Sequence, residues 1–327
     1  MIVPRFWSEA KVQEAWNGKM VTLRRFGWSD QSEEAAGELA QARALQAFED
    51  FKQGGKVSRI EKKVSYNGAD GVPIREEIIS QHSDSVITRN LYGARCLNTP
   101  DVLFGDVDYA QGPGFWHFLF VAPALLALGA GAGWQFELKW KWVLMAGFLI
   151  AGFLTWPGMK ILSAIQTILF GNQEKRVLRA LQAFLERNPN WLVSAYRTPA
   201  GLRLLGLHAL FDPAGPEAAG FFDCLGVDSL YRSMCQRQRC FRARVSAKPW
   251  RIGIQAHLKP RPGIWPIQED LIPQRKLWVD GYESEAAKFA ACEYVGDFGR
   301  GSVNAKAHAV KTLHDQLCQT GRNLPLA

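Results

Sequence analysis

The sequence lacks the features of a secreted protein. Its first residues, MIVPRFWSEAKVQEAW, contain no apolar run that could form the core of a signal peptide,. Its cysteines show no spacing typical of a small disulfide-bonded domain. They are Cys96, Cys224, Cys235, Cys240, Cys292 and Cys318. We therefore expect reduced thiols in a cytoplasmic setting.

Spacings typical of metal sites are also scarce. Cys235 and Cys240 lie close together, but no second close pair follows that could complete a zinc site,. Four histidines show no ligand spacing and are expected to be surface or core side chains. They are His82, His257, His308 and His314. No internal repeat is visible in the sequence.

Acidic residues are absent from one long segment. Residues 232–261 contain nine lysines and arginines and no aspartate or glutamate, within a chain of net charge +8. A basic segment of this length favours a phosphate-bearing partner, namely a nucleotide, a nucleic acid or anionic lipid. A solvated basic face without a partner is the alternative, and charge alone does not separate the two.

Charged residues are missing from the middle of the chain as well. None occurs between Tyr109 and Phe136, and residues 115–134 have about the 20 residues that a helix needs to cross a bilayer,. A second uncharged run, residues 142–159, follows after a short polar connection. Tryptophans near the ends of both runs are typical of membrane interfaces. The pattern predicts a transmembrane helical hairpin; a buried helical hairpin of a soluble protein is the alternative.

A hairpin returns the chain to the side it left, so this prediction divides the chain into three parts. Residues 1–110 and 160–327 would build one domain, and residues 111–159 would form the membrane insert. Lysines and arginines are more frequent after the second run than in the connection, which places the domain in the cytoplasm,. The expected location is therefore the inner (plasma) membrane, with the lipid bilayer as a partner and the oligomeric state open.

The flanking parts show the patterns of an α/β (α+β) domain. Residues 19–28 alternate in polarity like a strand, and residues 29–51 start with capping residues and continue with helix formers,. Short apolar runs between residues 77 and 109 predict further strands. The expected fold class is an α/β domain interrupted by the transmembrane hairpin.

Residues 103–109 (LFGDVDY) form the first motif that could carry chemistry. On a strand, Asp106 and Asp108 project from the same face because side chains alternate between the faces,. Two carboxylates placed in this way can hold divalent metal ions that neutralise a triphosphate. Alternating polar residues on an ordinary strand are the alternative.

Two further motifs carry basic side chains. Residues 196–208 (YRTPAGLRLLGLH) predict a strand, a tight turn and a returning strand with Arg203 and His208,. On a regular strand these two side chains point to opposite faces, so a joint site needs a bulge or a different register. Residues 240–251 (CFRARVSAKPWR) place Arg242 and Arg244 on one strand face, with Lys248 at the following turn. Two guanidinium groups on one face suit phosphate oxygens.

Taken in this order, the three motifs resemble those of the archaeo-eukaryotic primase superfamily, which includes the primase-polymerases. The resemblance implies a primase-like mixed sheet, Mg²⁺ or Mn²⁺ as cofactor, and a nucleotide or nucleic acid as partner. It implies that Asp106 and Asp108 bind metal and that Asp228 is the third catalytic acid, with Asp223 as the alternative. The side chains that it implies to contact triphosphate, nucleotide or template are Arg197, Arg203, His208, Arg242, Arg244 and Lys248.

The working hypothesis is a membrane-anchored cytoplasmic protein whose primase-like domain binds a nucleotide or nucleic acid. In its catalytic version, a metal-dependent nucleotidyltransferase, metals on the aspartates would stabilise charge on the transferring phosphoryl group. One alternative is a non-catalytic integral membrane protein whose domain binds a partner without reaction. Another is a scaffold whose basic segment, residues 232–261, lies on anionic lipid.

Overall fold

The computed structural model describes residues 1–61, 72–109, 115–135, 139–261, 263 and 265–327. In chain order, its strands are β1 (Phe6–Trp16), β2 (Lys19–Ser29), β3 (Glu77–His82), β4 (Ser85–Arg89), β5 (Arg95–Thr99), β6 (Phe104–Asp108), β7 (Leu192–Thr198), β8 (Gly201–Gly206), β9 (Phe241–Arg244) and β10 (Glu293–Gly299). Its helices are α1 (Glu33–Lys52), α2 (Phe115–Gln135), α3 (Trp140–Phe170), α4 (Gln173–Arg187), α5 (Pro216–Leu225), α6 (Ser229–Gln238), α7 (Ile272–Ala286) and α8 (Ala305–Cys318). The described part of the chain is an α/β fold.

β1 and β2 form a long antiparallel ribbon that packs against α1. The ribbon turns at Asn17 and Gly18, which both have positive φ, as a tight two-residue hairpin turn requires,. α1 begins after Ser32, whose hydroxyl accepts a hydrogen bond from a backbone N–H of the first turn,. Apolar side chains of ribbon and helix, among them Leu23 and Phe48, form one buried cluster.

A four-stranded sheet has the order β3-β4-β5-β9, and each neighbouring pair is antiparallel. β5 and β9 are distant in the chain, yet they pair so that Asn98 lies opposite Arg242 and Cys96 lies opposite Arg244. Because successive strand residues alternate between the two faces, Arg242 and Arg244 share one face of β9.

A second four-stranded sheet has the order β10-β7-β8-β6. A short turn at residues 199–200 joins β7 to β8, and β10 pairs antiparallel with β7 through a bulge between Tyr294 and Gly296. β6 carries Asp106, and the neighbouring β8 carries Arg203. Strand order therefore brings these two charged residues together although they are far apart in the sequence.

The chain divides into two compact units. The first comprises Met1–Val107, Leu185–Pro199 and Arg203–Ala327. The second comprises Asp108–Phe184 and Ala200–Leu202. The first unit holds most of the strands, and the second is built mainly from α2, α3 and α4. Every predicted site residue except Asp108 belongs to the first unit.

The central uncharged region forms two helices that pack against each other, but the prediction that they cross a membrane is wrong. Among the described residues, no helix combines the length with the sustained apolar character that a crossing requires,. The prediction rested on two uncharged apolar runs of sufficient length and on the tryptophans at their ends. Each of the two helices contains an internal proline, Pro123 in α2 and Pro157 in α3.

Two further predictions depended on the transmembrane hairpin and are corrected with it. They are the description as a multi-pass membrane protein and the location as an integral protein of the inner membrane. The predicted fold class is likewise wrong in its membrane part. Residues 136–138 of the predicted connection between the two runs (residues 135–141) and the predicted boundary at residue 110 lie outside the described residues.

Many large apolar side chains of α2 and α3 are exposed. They include Phe115, Trp116, Phe120, Leu128, Phe148, Phe153, Trp156 and Ile168. Clustered exposed apolar side chains mark interaction surfaces. The two helices of the second unit therefore present an apolar surface.

Candidate functional site

Asp106, the first acid of the predicted metal pair, is held by a buried arginine. Its two carboxylate oxygens accept hydrogen bonds from Nε and Nη2 of Arg203, at 2.8 and 3.0 Å. The Arg203 side chain is 2% exposed and that of Asp106 is 32% exposed. Burial alone would lower the pKa of Arg203, but Asp106 raises it, and the net shift is upward,. The negative charge that a metal ion would need is thus already compensated by the guanidinium.

The remaining nitrogen of Arg203 is also engaged inside the protein. Nη1 donates to the carbonyl of Arg244 at 2.8 Å and lies 3.3 Å from Nε2 of His314. Arg203 therefore connects β8 to β6, β9 and α8. All three guanidinium nitrogens have protein partners, so the residue acts as a cross-link in the arrangement described.

The other acidic candidates have different surroundings. Asp108 is exposed at the end of β6 and belongs to the second unit. Asp228 is the N-cap of α6, where its carboxylate accepts a hydrogen bond from the Tyr231 N–H at 3.0 Å,. Asp223, the alternative third acid, forms an ion pair with Arg232. The two candidates for the third acid thus serve as a helix cap and as an ion-pair partner.

Arg242 lies in a buried polar network around Glu76. Its Nη2 donates to the two Glu76 oxygens at 2.8 and 2.7 Å, and its Nη1 donates to Asn98 at 3.0 Å. Thr88 donates to Glu76 at 2.7 Å and accepts from Asn98 at 2.9 Å. Burial alone would lower the pKa of Arg242, but Cys96 and Glu76 raise it, and the net shift is upward. The charge of Arg242 therefore compensates a buried carboxylate.

Arg244 contacts the backbone, and Lys248 lies beside an exposed aromatic ring. Arg244 uses Nη1 to donate to the carbonyl of Ser246 at 3.3 Å. The Lys248 ammonium is 5.4 Å from the ring centre of Trp250. The Trp250 side chain is 50% exposed, and its ring packs edge-on against Tyr92 with 5.1 Å between ring centres. Burial raises the pKa of Tyr92 to about 12, against a lowering effect of Arg244.

Arg197 and His208 have partners on neighbouring elements. Arg197 forms an exposed ion pair with Glu293 across β7 and β10, at 2.6 Å. The Nδ1 atom of His208 accepts a hydrogen bond from the Leu192 N–H at 3.4 Å, and its ring centre is 4.5 Å from that of Trp191. Burial lowers the pKa of His208, which favours the neutral ring,. A neutral imidazole adds no charge for a triphosphate.

Two cysteines that were expected to be reduced thiols and a histidine that was expected to be a core or surface side chain come together in the first unit. Cys292, His314 and Cys318 are buried, and their sulfur and nitrogen atoms lie within 4.8 Å of one another. His314 and Cys318 are four residues apart on α8 and so share one face of the helix,. That spacing is visible in the sequence, but the third member, Cys292, lies on another element and joins them only through the fold.

The described geometry around Asp106 does not fit the Mg²⁺ or Mn²⁺ that the resemblance implies. Such ions take carboxylate oxygens with free lone pairs as ligands. Each Asp106 oxygen already accepts a hydrogen bond from Arg203, which leaves one lone pair on each oxygen,. The positive charge of Arg203 would oppose a cation at the same carboxylate.

Comparisons with known proteins identify no relative of this chain. No family model, no curated protein and no solved structure matches the chain. The likeness of the three motifs to primases therefore stays a prediction. Function has to be argued from the described residues themselves.

Proposed function

We propose that the chain binds single-stranded nucleic acid, without catalysis, through a basic platform in its first unit. The basic platform consists of Arg244, Lys248, Trp250, Lys259 and Arg261, all within the segment that lacks acidic residues. The observation that carries the proposal is the half-exposed ring of Trp250, which has a cation beside it and an aromatic ring behind it.

The basic platform is anchored on the turn at residues 91–94. Tyr92 packs against Trp250, and Ala94 belongs to a buried cluster with the residues that flank Trp250. Farther along, the backbone of Gly263 approaches the same turn so closely that a Cβ there would lie 2.7 Å from the Leu91 carbonyl oxygen. Ala247 and Gly263 therefore both lie against this turn, and Lys248, Trp250, Lys259 and Arg261 fall between them in the sequence.

The chemistry of the basic platform suits a single strand. Lys259 and Arg261 are exposed, and Lys248 and Arg244 are partly exposed. Cations attract the phosphate backbone whatever the sequence, and an unpaired base can stack on an exposed tryptophan ring. Stacking requires bases that are not already paired, and for this reason we name a single strand as the ligand.

The proposal does not include nucleotidyl transfer, because two of the three catalytic acids that the resemblance implies have other partners. Asp106 is paired with Arg203, and Asp228 caps α6. Two-metal catalysis needs carboxylate oxygens that are free to bind the ions. Binding through the basic platform requires neither carboxylate.

The test measures the fluorescence anisotropy of a labelled oligothymidylate of about 16 nucleotides, the upper length that one such site covers. The purified full chain should bind it saturably, and the affinity should fall as salt is added. Trp250→Ala should weaken binding by about 1–3 kcal/mol because one stacking contact is lost.

Tyr294→Ala is the matched control. Tyr294 is 42% exposed and has the Lys311 ammonium 4.8 Å from its ring centre, so it resembles Trp250 in exposure and in its cation. It lies on β10, outside the basic platform, and its removal should leave binding unchanged. No binding by the wild type at low salt, or equal losses in the two variants, would contradict the proposal.

A further inference from the structure

Cys292, His314 and Cys318 meet in the interior of the first unit. Cys292 immediately precedes β10, and the other two residues lie on α8. The Nε2 atom of His314 is 3.4 Å from the Cys318 sulfur and 3.9 Å from the Cys292 sulfur. The relative exposure of the three residues is 1% or less.

These distances fit the edges of a zinc tetrahedron. With Zn–S of about 2.3 Å and Zn–N of about 2.0–2.1 Å, a sulfur and a nitrogen bound to one tetrahedral ion are about 3.6 Å apart. The two observed separations, 3.4 and 3.9 Å, lie on either side of that value. Two thiolates and an imidazole are also ligands that zinc prefers. We propose that Cys292, His314 and Cys318 bind a Zn²⁺ ion.

The surroundings of His314 are those of a metal-binding histidine. Its Nδ1 lies 2.9 Å from the carboxylate of Asp315, so Nδ1 carries the donated proton,. Zinc would take over the Nε2 lone pair that accepts a hydrogen bond from Nη1 of Arg203 at 3.3 Å, and Nη1 would keep its bond to the Arg244 carbonyl. Lys311 in turn donates to Asp315 at 2.6 Å. The rings of Phe104 and Tyr196 pack against the imidazole and hold its orientation.

Charges in this region balance when zinc is bound. The two thiolates together offset the ion, and Lys311 offsets Asp315. Arg203, whose Nη1 lies 3.3 Å from Nε2 of His314, is offset by Asp106. A buried site can hold charged groups when they are paired in this way.

The thiolate is the form of cysteine that binds metal. Zinc would bind Cys292 and Cys318 as thiolates, and their protons would pass to solvent.

Burial closes the site to a substrate, as in structural zinc sites. It offers three protein ligands, whereas structural zinc sites usually have four. The ion would tie α8 to the start of β10. Three protein ligands leave the fourth position for a water molecule, with the Thr320 hydroxyl 3.6 Å from the Cys292 sulfur as a hydrogen-bonding partner,.

The first experiment measures the zinc content of the untagged full chain, purified under reducing conditions without chelator, by plasma mass spectrometry. About one Zn²⁺ per chain is expected. Cys318→Ser should lower the content by at least about tenfold. Cys235→Ser is the matched control, because Cys235 is an equally buried thiol on α6 outside the cluster, and it should keep its zinc.

The second experiment uses spectroscopy and affinity. Co²⁺ in place of zinc should give the wild-type chain a thiolate-to-cobalt charge-transfer band and the intense visible bands of tetrahedral coordination. Asp315→Asn keeps all three ligands and should weaken zinc binding about 10- to 100-fold, measured by competition with a chromophoric chelator.

A wild-type chain without zinc whose cobalt spectrum lacks thiolate bands would overturn the proposal. Equal zinc contents in Cys318→Ser and Cys235→Ser would do the same. If Cys318→Ser does not fold, the wild-type zinc content, the cobalt spectrum and the affinity of Asp315→Asn decide the matter.

Discussion

The ion pair between Asp106 and Arg203 can be compared with an exposed ion pair of the same sheet, Arg197 with Glu293. Asp106→Asn and Arg203→Met are made singly and together, and so are Arg197→Met and Glu293→Gln. Both pairs join neighbouring strands, but the arginine side chain is 2% exposed in the first pair and 42% exposed in the second. The two double-mutant cycles isolate the coupling energy of each pair.

The buried pair should show the larger coupling. Asp106→Asn leaves a buried guanidinium without its counter-charge, a change that costs about 3–5 kcal/mol. Because 32% of the Asp106 side chain is exposed and water can enter its place, we expect the lower end, about 3 kcal/mol,. The double variant should lose less than the sum of the single variants, since neither charge is left unpaired. The exposed pair should show a coupling of about 0.2–1 kcal/mol.

The assay is urea unfolding near neutral pH, followed by circular dichroism, with all variants saturated with zinc. Equal slopes of free energy against urea would show that the variants unfold from comparably folded states. A coupling for Asp106 and Arg203 no larger than that for Arg197 and Glu293 would refute the reasoning. Asp106 would then be free for another role, including metal binding.

Three further predictions concern single residues. Lys259→Gln should reduce the slope of log affinity against log salt by about 0.7 in the anisotropy assay, because one phosphate contact is lost, whereas Lys19→Gln on the ribbon should not. Asp228→Ala should lower the free energy of unfolding in urea by about 1 kcal/mol, because the N–H of Tyr231 loses its acceptor,. Burial lowers the pKa of His208 below 6.5 in the folded chain. As the pH falls, the imidazole is therefore protonated in the unfolded chain before it is protonated in the folded chain. Stability in urea should therefore fall as the pH drops below that value, and His208→Gln should remove this part of the loss.

Each of these predictions has a contradicting result. A salt slope reduced equally by Lys19→Gln would place the phosphate contacts outside the basic platform. An Asp228→Ala variant as stable as the wild type would mean that the helix end is satisfied without its cap. A pH profile unchanged by His208→Gln would assign the acid sensitivity to other groups.

Local elements could be predicted from the sequence because their signals lie close together in the chain. The alternation in residues 19–28 predicted a strand, and β2 covers Lys19–Ser29. The capping residues and helix formers of residues 29–51 predicted a helix, and α1 covers Glu33–Lys52. Turn residues at 198–201 predicted a strand pair, which is present as β7 and β8.

The membrane prediction was made from local pattern alone, namely two uncharged apolar runs, their length and the tryptophans at their ends,. Among the described residues, no helix is long and apolar enough to cross a membrane. The two helices of this region pack against each other.

The roles of the arginines could not be predicted because they depend on distant partners. Arg203 meets Asp106 across 97 positions of sequence, and Arg242 meets Glu76 across 166. In the sequence, an arginine that faces a phosphate looks the same as one that neutralises a buried carboxylate. The role of His314 could not be predicted for a related reason, since Cys292 reaches it only through the fold, where the Ala291 N–H donates to the Cys318 carbonyl at the end of α8.

Composition and local pattern were enough to establish the basic segment at 232–261, the ribbon with its helix, and the strand–turn–strand motif, since each depends on residues close together in the chain. The order of strands β10-β7-β8-β6 decided which charges face each other and which remain exposed. The interaction of charged groups depends on their separation and burial, and both are properties of the folded chain.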